Sequence, residues 1–215
     1  MKLRLNQDPR RGDVPPDRPQ YPWTVPFGVP SDQPAAPNMA PWLEERLFDQ
    51  RIVMLNGPLT GPTATRTAAA LLTLDALGSE VVRLHMSTPD GDLTAAFAVV
   101  DAIDAMRAPV HAVVTAQVGG AALAVLAAAE RRLAYRHASI RICEPTAGPV
   151  VGTADEVAAA AGQYLRELEE LAERIATVTG QPRSRVEDDL SAVRILTSAE
   201  AREYGLIDEI IGGAG

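Results

Sequence analysis

The sequence predicts an α/β fold with a largely parallel sheet, on the strength of two observations. Short runs rich in β-branched residues alternate with Ala- and Leu-rich stretches of helical periodicity, and Gly, Pro or Asp bound the runs. Repeated strand, helix, strand units of this length are typical of parallel strands joined by right-handed crossovers. The predicted strands are residues 51–57, 81–87, 110–117 and 139–145.

Short helices are predicted between these strands and again near the C-terminus. Those between the strands are residues 63–77, 93–106 and 119–129. Two more are predicted to begin at capping boxes, one at Ser184 with Glu187 and one at Thr197 with Glu200. A final apolar run covers residues 206–211.

One long amphipathic helix is predicted at about residues 153–179. It begins at a capping box of Thr153 and Glu156, and Gly180 ends it. Its apolar stripe fits either the domain's own core or a neighbouring subunit, and spacing does not separate the two. The opposite face, which includes Glu167, is predicted to be solvated.

The first 41 residues are predicted to form a separate region from a folded domain at residues 42–215. Ten of the 17 prolines lie in residues 1–41, and proline removes backbone donors and blocks helix formation. Two interpretations stay open for this extension: a flexible tail, or a segment that a partner subunit orders. Its aromatic residues, such as Trp23, are unusual for a purely solvated linker.

Composition excludes several classes of function. The net charge is −8 and no Lys/Arg cluster offers a phosphate-binding face, so nucleic acid is not expected as a partner. A single cysteine cannot form an internal disulfide, and the lack of a leader pattern predicts a cytoplasmic protein.

No apolar run has the roughly 20 residues that a membrane span needs. No metal-ligand spacing or phosphate-binding loop is present, so neither metal nor cofactor is expected.

Four stretches in collinear order carry a family resemblance. They read ERLFDQRIVMLNGPL, STPDGDLTAAFAVVDAI, TAQVGGAALAVLAAAERRLAYRHASIRICEP and TGQPRSRVEDDL, the last followed by SAEAREYGLIDEII. From about residue 45 to residue 211 the chain resembles the ClpP family (peptidase S14), the proteolytic subunits of ATP-dependent Clp proteases. The resemblance implies a ClpP/crotonase-like fold of repeated β-α units, in which the long helix is a protruding handle.

The resemblance also locates a serine, histidine and aspartate triad, and all three of its positions are vacant. The family's serine falls at Gly120, its histidine at Cys143 and its aspartate at Val193. Glycine has no side chain with which to attack, and neither cysteine nor valine can serve as that base or orienting group here. We therefore expect no meaningful peptidase activity, because loss of one triad member already costs a factor of about ten thousand.

The oxyanion donors of the family map to Asp90, Gly91 and Ala121. The family's Ser-Pro-Gly-Gly turn reads Thr-Pro-Asp-Gly here, so Asp90 stands where the first glycine is expected. A carboxylate opposes negative charge at that place, and a side chain disfavours the positive φ that glycine permits. We therefore expect the oxyanion hole to be unable to stabilise a negative oxygen well.

Cys143 is the one candidate for a replacement nucleophile. Thiolate formation needs a base or a positive neighbour, and the adjacent residues are Ile142, Glu144 and Pro145. A buried, inert cysteine is the favoured interpretation. The histidines at positions 85, 111 and 137 are interpreted as structural or surface residues.

These expectations describe a non-catalytic ClpP-like ring subunit. By resemblance its partners are copies of itself or a catalytically active paralogue in stacked rings, together with a Clp-type ATP-driven unfoldase. The alternatives are an active serine-type or cysteine-type endopeptidase with a rearranged site, or an acyl-CoA enzyme of the wider fold group. Nothing in the sequence indicates a nucleotide pocket.

Overall fold

A mostly parallel sheet of seven strands organises the fold. The computed structural model describes residues 40–148 and 150–212, so the predicted extension lies outside the described residues apart from Ala40 and Pro41. The strands are β1 Ile52–Asn56, β2 Val82–Thr88, β3 Val110–Gly119, β4 Arg131–Tyr135, β5 Ser139–Ile142, β6 Arg194–Thr197 and β7 Glu209–Ile211. The helices are α1 Pro41–Asp49, α2 Gly61–Leu77, α3 Leu93–Ala105, α4 Ala122–Ala128, α5 Ala154–Thr179, α6 Arg183–Ala192 and α7 Ser198–Tyr204.

The sheet branches at β3, its longest strand. The main path runs β1-β2-β3-β4-β7, and every pairing along it is parallel. Residues 111–114 of β3 pair with β4, while residues 117–119 pair with β5. Strand β6 then joins β5 in the antiparallel direction. The prediction of an α/β fold with a largely parallel sheet is confirmed.

Strand β2 illustrates how the sheet and helices build the core. Val82, Leu84 and Met86 are fully buried, whereas Arg83 is exposed and His85 is half-buried. Side chains alternate across a strand, so the buried residues share the face that the crossover helices cover. Burial lowers the pKa of His85 below its ordinary value, and the charge of Arg83 lowers it further.

Several helices and strands of the structure differ from the sequence predictions. Helix α1 and strands β4 and β6 are absent from the predictions, and β7 forms within the predicted apolar run. Strand β4 carries three polar or amphipathic residues in five and buries only Ala134, so it has no apolar signal. Helix α4 begins at Ala122, later than predicted, because β3 continues to Gly119.

The predicted cap at Ser184 is wrong. The N-cap of α6 is Pro182, whose carbonyl accepts from the backbone N–H of Arg185 at 3.0 Å. Glu187 forms an ion pair with Arg183 (Nε to Oε1, 2.7 Å) and so does not complete a capping box. Val186, in the first turn of the helix, is fully buried.

The long helix α5 matches its prediction at both ends. The Thr153–Glu156 capping box forms, and hydrogen bonds from Thr153 lower the pKa of Glu156. Gly180 ends the helix with φ +68°, a left-handed conformation that glycine adopts without strain. The buried residues of the helix all lie in its second half, and they are Glu167, Leu171, Ala172 and Ile175.

Glu167 is buried, so the prediction that it lies on a solvated face is wrong. Its carboxylate accepts from the hydroxyl of Thr94 on α3 at 3.0 and 3.2 Å and from the amide of Gln163 at 2.7 Å. A carboxylate can leave water when such donors replace its hydration. The contact ties α5 to the start of α3.

We predict that Thr94→Val lowers the free energy of unfolding by about 1–2 kcal/mol, because the buried carboxylate of Glu167 loses a donor. Chemical denaturation followed by circular dichroism measures the loss. Thr94→Ser keeps the hydroxyl and serves as the control, with a smaller loss expected. Equal losses for the two variants would show that the hydrogen bond contributes nothing.

Candidate active site

The three positions matched to a triad lie at one end of the β3–β5–β6 branch. Gly120 directly follows β3, Cys143 directly follows β5 and Val193 directly precedes β6. Gly119 is paired with Arg141, and Ile142 is paired with Arg194. Continuing the antiparallel register by one residue sets Val193 opposite Cys143. The fold therefore brings the three positions together.

Gly119 ends β3, and Gly120 and Ala121 form the turn into α4. A Cβ on Gly119 would lie 2.9 Å from the carbonyl oxygens of Arg141 and Pro89, so no larger residue fits there. Gly120 has φ +54°, in the left-handed region that side chains disfavour. The residue at the nucleophile's position thus offers no attacking group.

The side chain of Asp90 lies directly in front of Gly120. A Cβ on Gly120 would overlap Oδ1 of Asp90 and lie 3.1 Å from its Cγ. Oδ1 accepts from the backbone N–H of Gly91 at 2.8 Å, and Oδ2 accepts from the hydroxyl of Thr146 at 2.6 Å. One matched oxyanion donor, the Gly91 N–H, is therefore already engaged.

The turn that carries Asp90 is held in place by its neighbours. Leu59 and Gly91 form a parallel bridge, and the Leu59 N–H donates to the Asp90 carbonyl at 3.1 Å. Asp92 caps α3 through the Ala95 N–H at 2.8 Å. Among the described non-glycine residues only Arg51 and Val193 have positive φ, so the turn forms without strain at Asp90.

Cys143 is buried, as expected, but it has a positive neighbour that was not foreseen. Only 1% of its surface is exposed. The Nε of Arg141 donates to its sulfur at 3.1 Å, because residues two apart on a strand share a face. The expectation of a sulfur without a positive neighbour is corrected, since that inference considered only the residues adjacent in sequence.

None of the three histidines supplies a base to this sulfur. His85 lies on β2, His111 on β3 and His137 in the turn between β4 and β5. Within residues 40–148 and 150–212, no hydrogen bond joins an imidazole to Cys143. A thiol next to an arginine but without a base has no group to carry its proton.

Val193 holds an unusual backbone conformation. It has φ +56° and ψ +89° at the end of α6, and 54% of its surface is exposed. A β-branched residue in the left-handed region is strained, and such strain persists only when the surroundings fix it. No carboxylate stands at this position to orient a base.

A cluster around Tyr204 fixes the chain beside Val193, and sequence reasoning did not find it. The Tyr204 hydroxyl donates to Asp189 at 2.9 Å, and the guanidinium groups of Arg185 and Arg194 each lie 5.5 Å from the ring centroid. Burial raises the pKa of Tyr204 to about 12, and the hydrogen bond to Asp189 adds to the effect. The cluster joins α6, β6 and α7.

The segment after β5 is tied to two helices. Glu144 accepts from the Ser191 hydroxyl at 3.1 Å and donates its backbone N–H to Leu190 O at 3.1 Å. The Tyr164 hydroxyl of α5 donates to Pro145 O at 2.7 Å. Burial raises the pKa of Tyr164, and the charges of Glu144 and Asp90 raise it further. Polar groups near the site therefore satisfy one another.

The described residues contain neither a metal-binding cluster nor a membrane-spanning helix. In residues 40–148 and 150–212, no three His, Cys, Asp or Glu side chains lie close enough together to hold a metal ion. Over the same part of the chain, no helix is both long and apolar enough to span a bilayer.

Comparison with known protein families gives a match over most of the chain. The family model described as Clp protease matches residues 39–214. The matched range contains the sheet, the long helix α5 and all of the site positions described above.

We predict that Val193→Gly raises the free energy of unfolding by about 1 kcal/mol, because glycine relieves the left-handed strain and little burial is lost. Urea denaturation measures the change. Ile195→Gly is the matched control: Ile195 is 63% exposed in the neighbouring strand, and glycine in extended strand backbone should destabilise. Equal destabilisation by both changes would contradict strain at Val193.

Proposed function

The chain belongs to the Clp protease family, and from that premise we propose that it is a non-catalytic, ClpP-like subunit of a proteolytic core. Its role is to form ring wall and to regulate, while any cleavage belongs to a catalytically active paralogue. The proposal assigns no catalytic residue to this chain.

The contact between Asp90 and Gly120 carries the proposal. A serine peptidase needs a hydroxyl at the nucleophile's position and free N–H donors for the oxyanion. Here that position is a glycine, and an aspartate occupies the space in front of it while engaging the Gly91 N–H. The site therefore lacks a hydroxyl to attack a peptide carbonyl, and its Gly91 N–H is not free to stabilise the oxyanion.

The exposed half of α5 supports a role in assembly. Its first half leaves Val157 and Leu165 exposed, at 41% and 57%, and the loop before it exposes Val151 at 96%. Apolar side chains clustered on a projecting helix favour association, because burial of apolar surface is the main driving force between subunits. In the family this helix is the handle that meets its counterpart in the opposite ring.

The proposed partners follow from family membership and this exposed surface. They are further copies of the chain or an active ClpP paralogue in stacked rings, and a Clp-type ATP-driven unfoldase that delivers substrates. The proposed compartment is the cytoplasm, consistent with a single cysteine, Cys143, that has no partner for an internal disulfide.

One observation favours a second candidate, a cysteine-type peptidase. The Arg141 guanidinium donates to the Cys143 sulfur at 3.1 Å, and a neighbouring cation stabilises a thiolate. The burial of the sulfur and the lack of an imidazole partner among the described residues make this candidate the weaker one.

We predict that the purified full-length chain does not hydrolyse fluorogenic peptides above the buffer rate, since it lacks nucleophile and base. Fluorescence release over hours measures this outcome. Cys143→Ala is the control for the second candidate. Turnover that disappears in Cys143→Ala would establish the cysteine peptidase and overturn the non-catalytic assignment.

We predict that Leu165→Lys reduces or abolishes association beyond a single ring, because a charge replaces an apolar contact on the exposed half of α5. Sedimentation velocity on the chain, alone and mixed with a co-expressed active paralogue, gives the assembly size. Thr177→Lys on the exposed face of the buried half of α5 is the matched control and should assemble like the parent. Unchanged assembly of Leu165→Lys would remove α5 from the interface.

A further inference from the structure

We propose that Asp90 is an internal blocking group that holds the vacated site shut, so that restoring the triad alone does not restore a reactive serine. The inference rests on the proposed non-catalytic function, and it adds that the Asp90 side chain is what blocks the site. Asp90 is matched to a glycine of the family turn, and its carboxylate occupies the space that a side chain at position 120 would need.

The first step is steric. A side chain at position 120 has to start from a Cβ, and that Cβ would overlap Oδ1 of Asp90. Real Cβ atoms do not approach an oxygen so closely, so either the carboxylate or the β3–α4 turn has to move. The turn has little room to move, because a Cβ built on the adjacent Gly119 would lie only 2.9 Å from the carbonyl oxygens of Arg141 and Pro89.

The second step is electrostatic. The tetrahedral intermediate of acyl transfer carries a negative oxygen that backbone N–H groups stabilise. In this chain the Gly91 N–H donates to the Asp90 carboxylate at 2.8 Å, so a negative oxygen already occupies this donor. A second negative charge beside it is disfavoured by like-charge repulsion.

The third step concerns whether Asp90 can swing away. Its other carboxylate oxygen accepts a hydrogen bond from the Thr146 hydroxyl at 2.6 Å. This bond joins the turn before α3 to the segment after β5. The backbone of the turn is fixed to Leu59 on both sides of Gly91, through bonds of 3.1 and 2.9 Å. Both oxygens and the backbone are restrained, so the blocking position is the stable one.

The test compares two full-length variants. One carries Gly120→Ser, Cys143→His and Val193→Asp, and the other carries these three changes together with Asp90→Gly. A fluorophosphonate probe reports serine reactivity without requiring a known substrate, and mass spectrometry locates the label. We expect labelling of Ser at position 120 to be at least about 100-fold faster with Asp90→Gly, in line with recovery of an oxyanion donor.

The inference is overturned if the two variants are labelled equally fast, or if neither is labelled although circular dichroism shows both to be folded. It is also overturned if the triple variant with Asp90→Asn is labelled as fast as the triple variant with Asp90→Gly. Asparagine keeps the volume and an oxygen at the same place, so it should leave the site closed. Hydrolysis by the unmodified chain would instead refute the proposed function, which keeps the two failures distinguishable.

A thermal cycle tests the same contact without any chemistry. Gly120→Ala should lower the Tm of the parent by about 4 °C or more, since both the positive φ and Asp90 oppose the methyl group. In an Asp90→Gly background only the φ strain remains, so the loss should be smaller by at least about 2 °C. Equal losses in the two backgrounds would show that Asp90 does not fill the space beside Gly120 and would overturn the inference.

Discussion

The end of strand β3 is the constraint on which the rest of the site depends. This strand runs for ten residues and pairs with β2, β4 and β5, so it can neither shift nor twist independently of the sheet. At its end the backbone of Gly119 lies so close to Arg141 and Pro89 that an added Cβ would be only 2.9 Å from their carbonyl oxygens. This close packing sets the turn carrying Asp90, the turn into α4 and the end of β5 beside one another. Strand β6 then adds Val193 through its pairing with β5.

Much of the fold could be predicted because its signals are local. Strands β1 and β2 alternate or run apolar between Gly, Pro and Asp, and the Thr153–Glu156 box marks the start of α5 within four residues. Strands β4 and β6 carry no comparable signal, since each is short and several of its side chains are polar. They become strands because β3 and β5 offer them unpaired backbone edges, which is information that only the assembled sheet contains.

The positions of the site could be located from the collinear motifs, but its contacts could not. Thr146 and Asp90 lie 56 residues apart, and Ser191 and Glu144 lie 47 apart, so their hydrogen bonds exist only after folding. The proximity of Arg141 to Cys143 had a signal that was available and unused: residues two apart on a strand point the same way. Considering the strand face instead of the adjacent residues would have identified this neighbour.

The polar groups near the candidate site hydrogen-bond to one another. In a catalytic centre, perturbed pKa values serve the proton transfer that the reaction needs. Among the described residues no buried side-chain nitrogen or oxygen lacks a hydrogen-bond partner. Asp90 is satisfied by Gly91 and Thr146, and the raised pKa of Tyr164 belongs to a hydroxyl that donates to a backbone carbonyl. These hydrogen bonds hold the segment after β5 against both the turn before α3 and the helix α5.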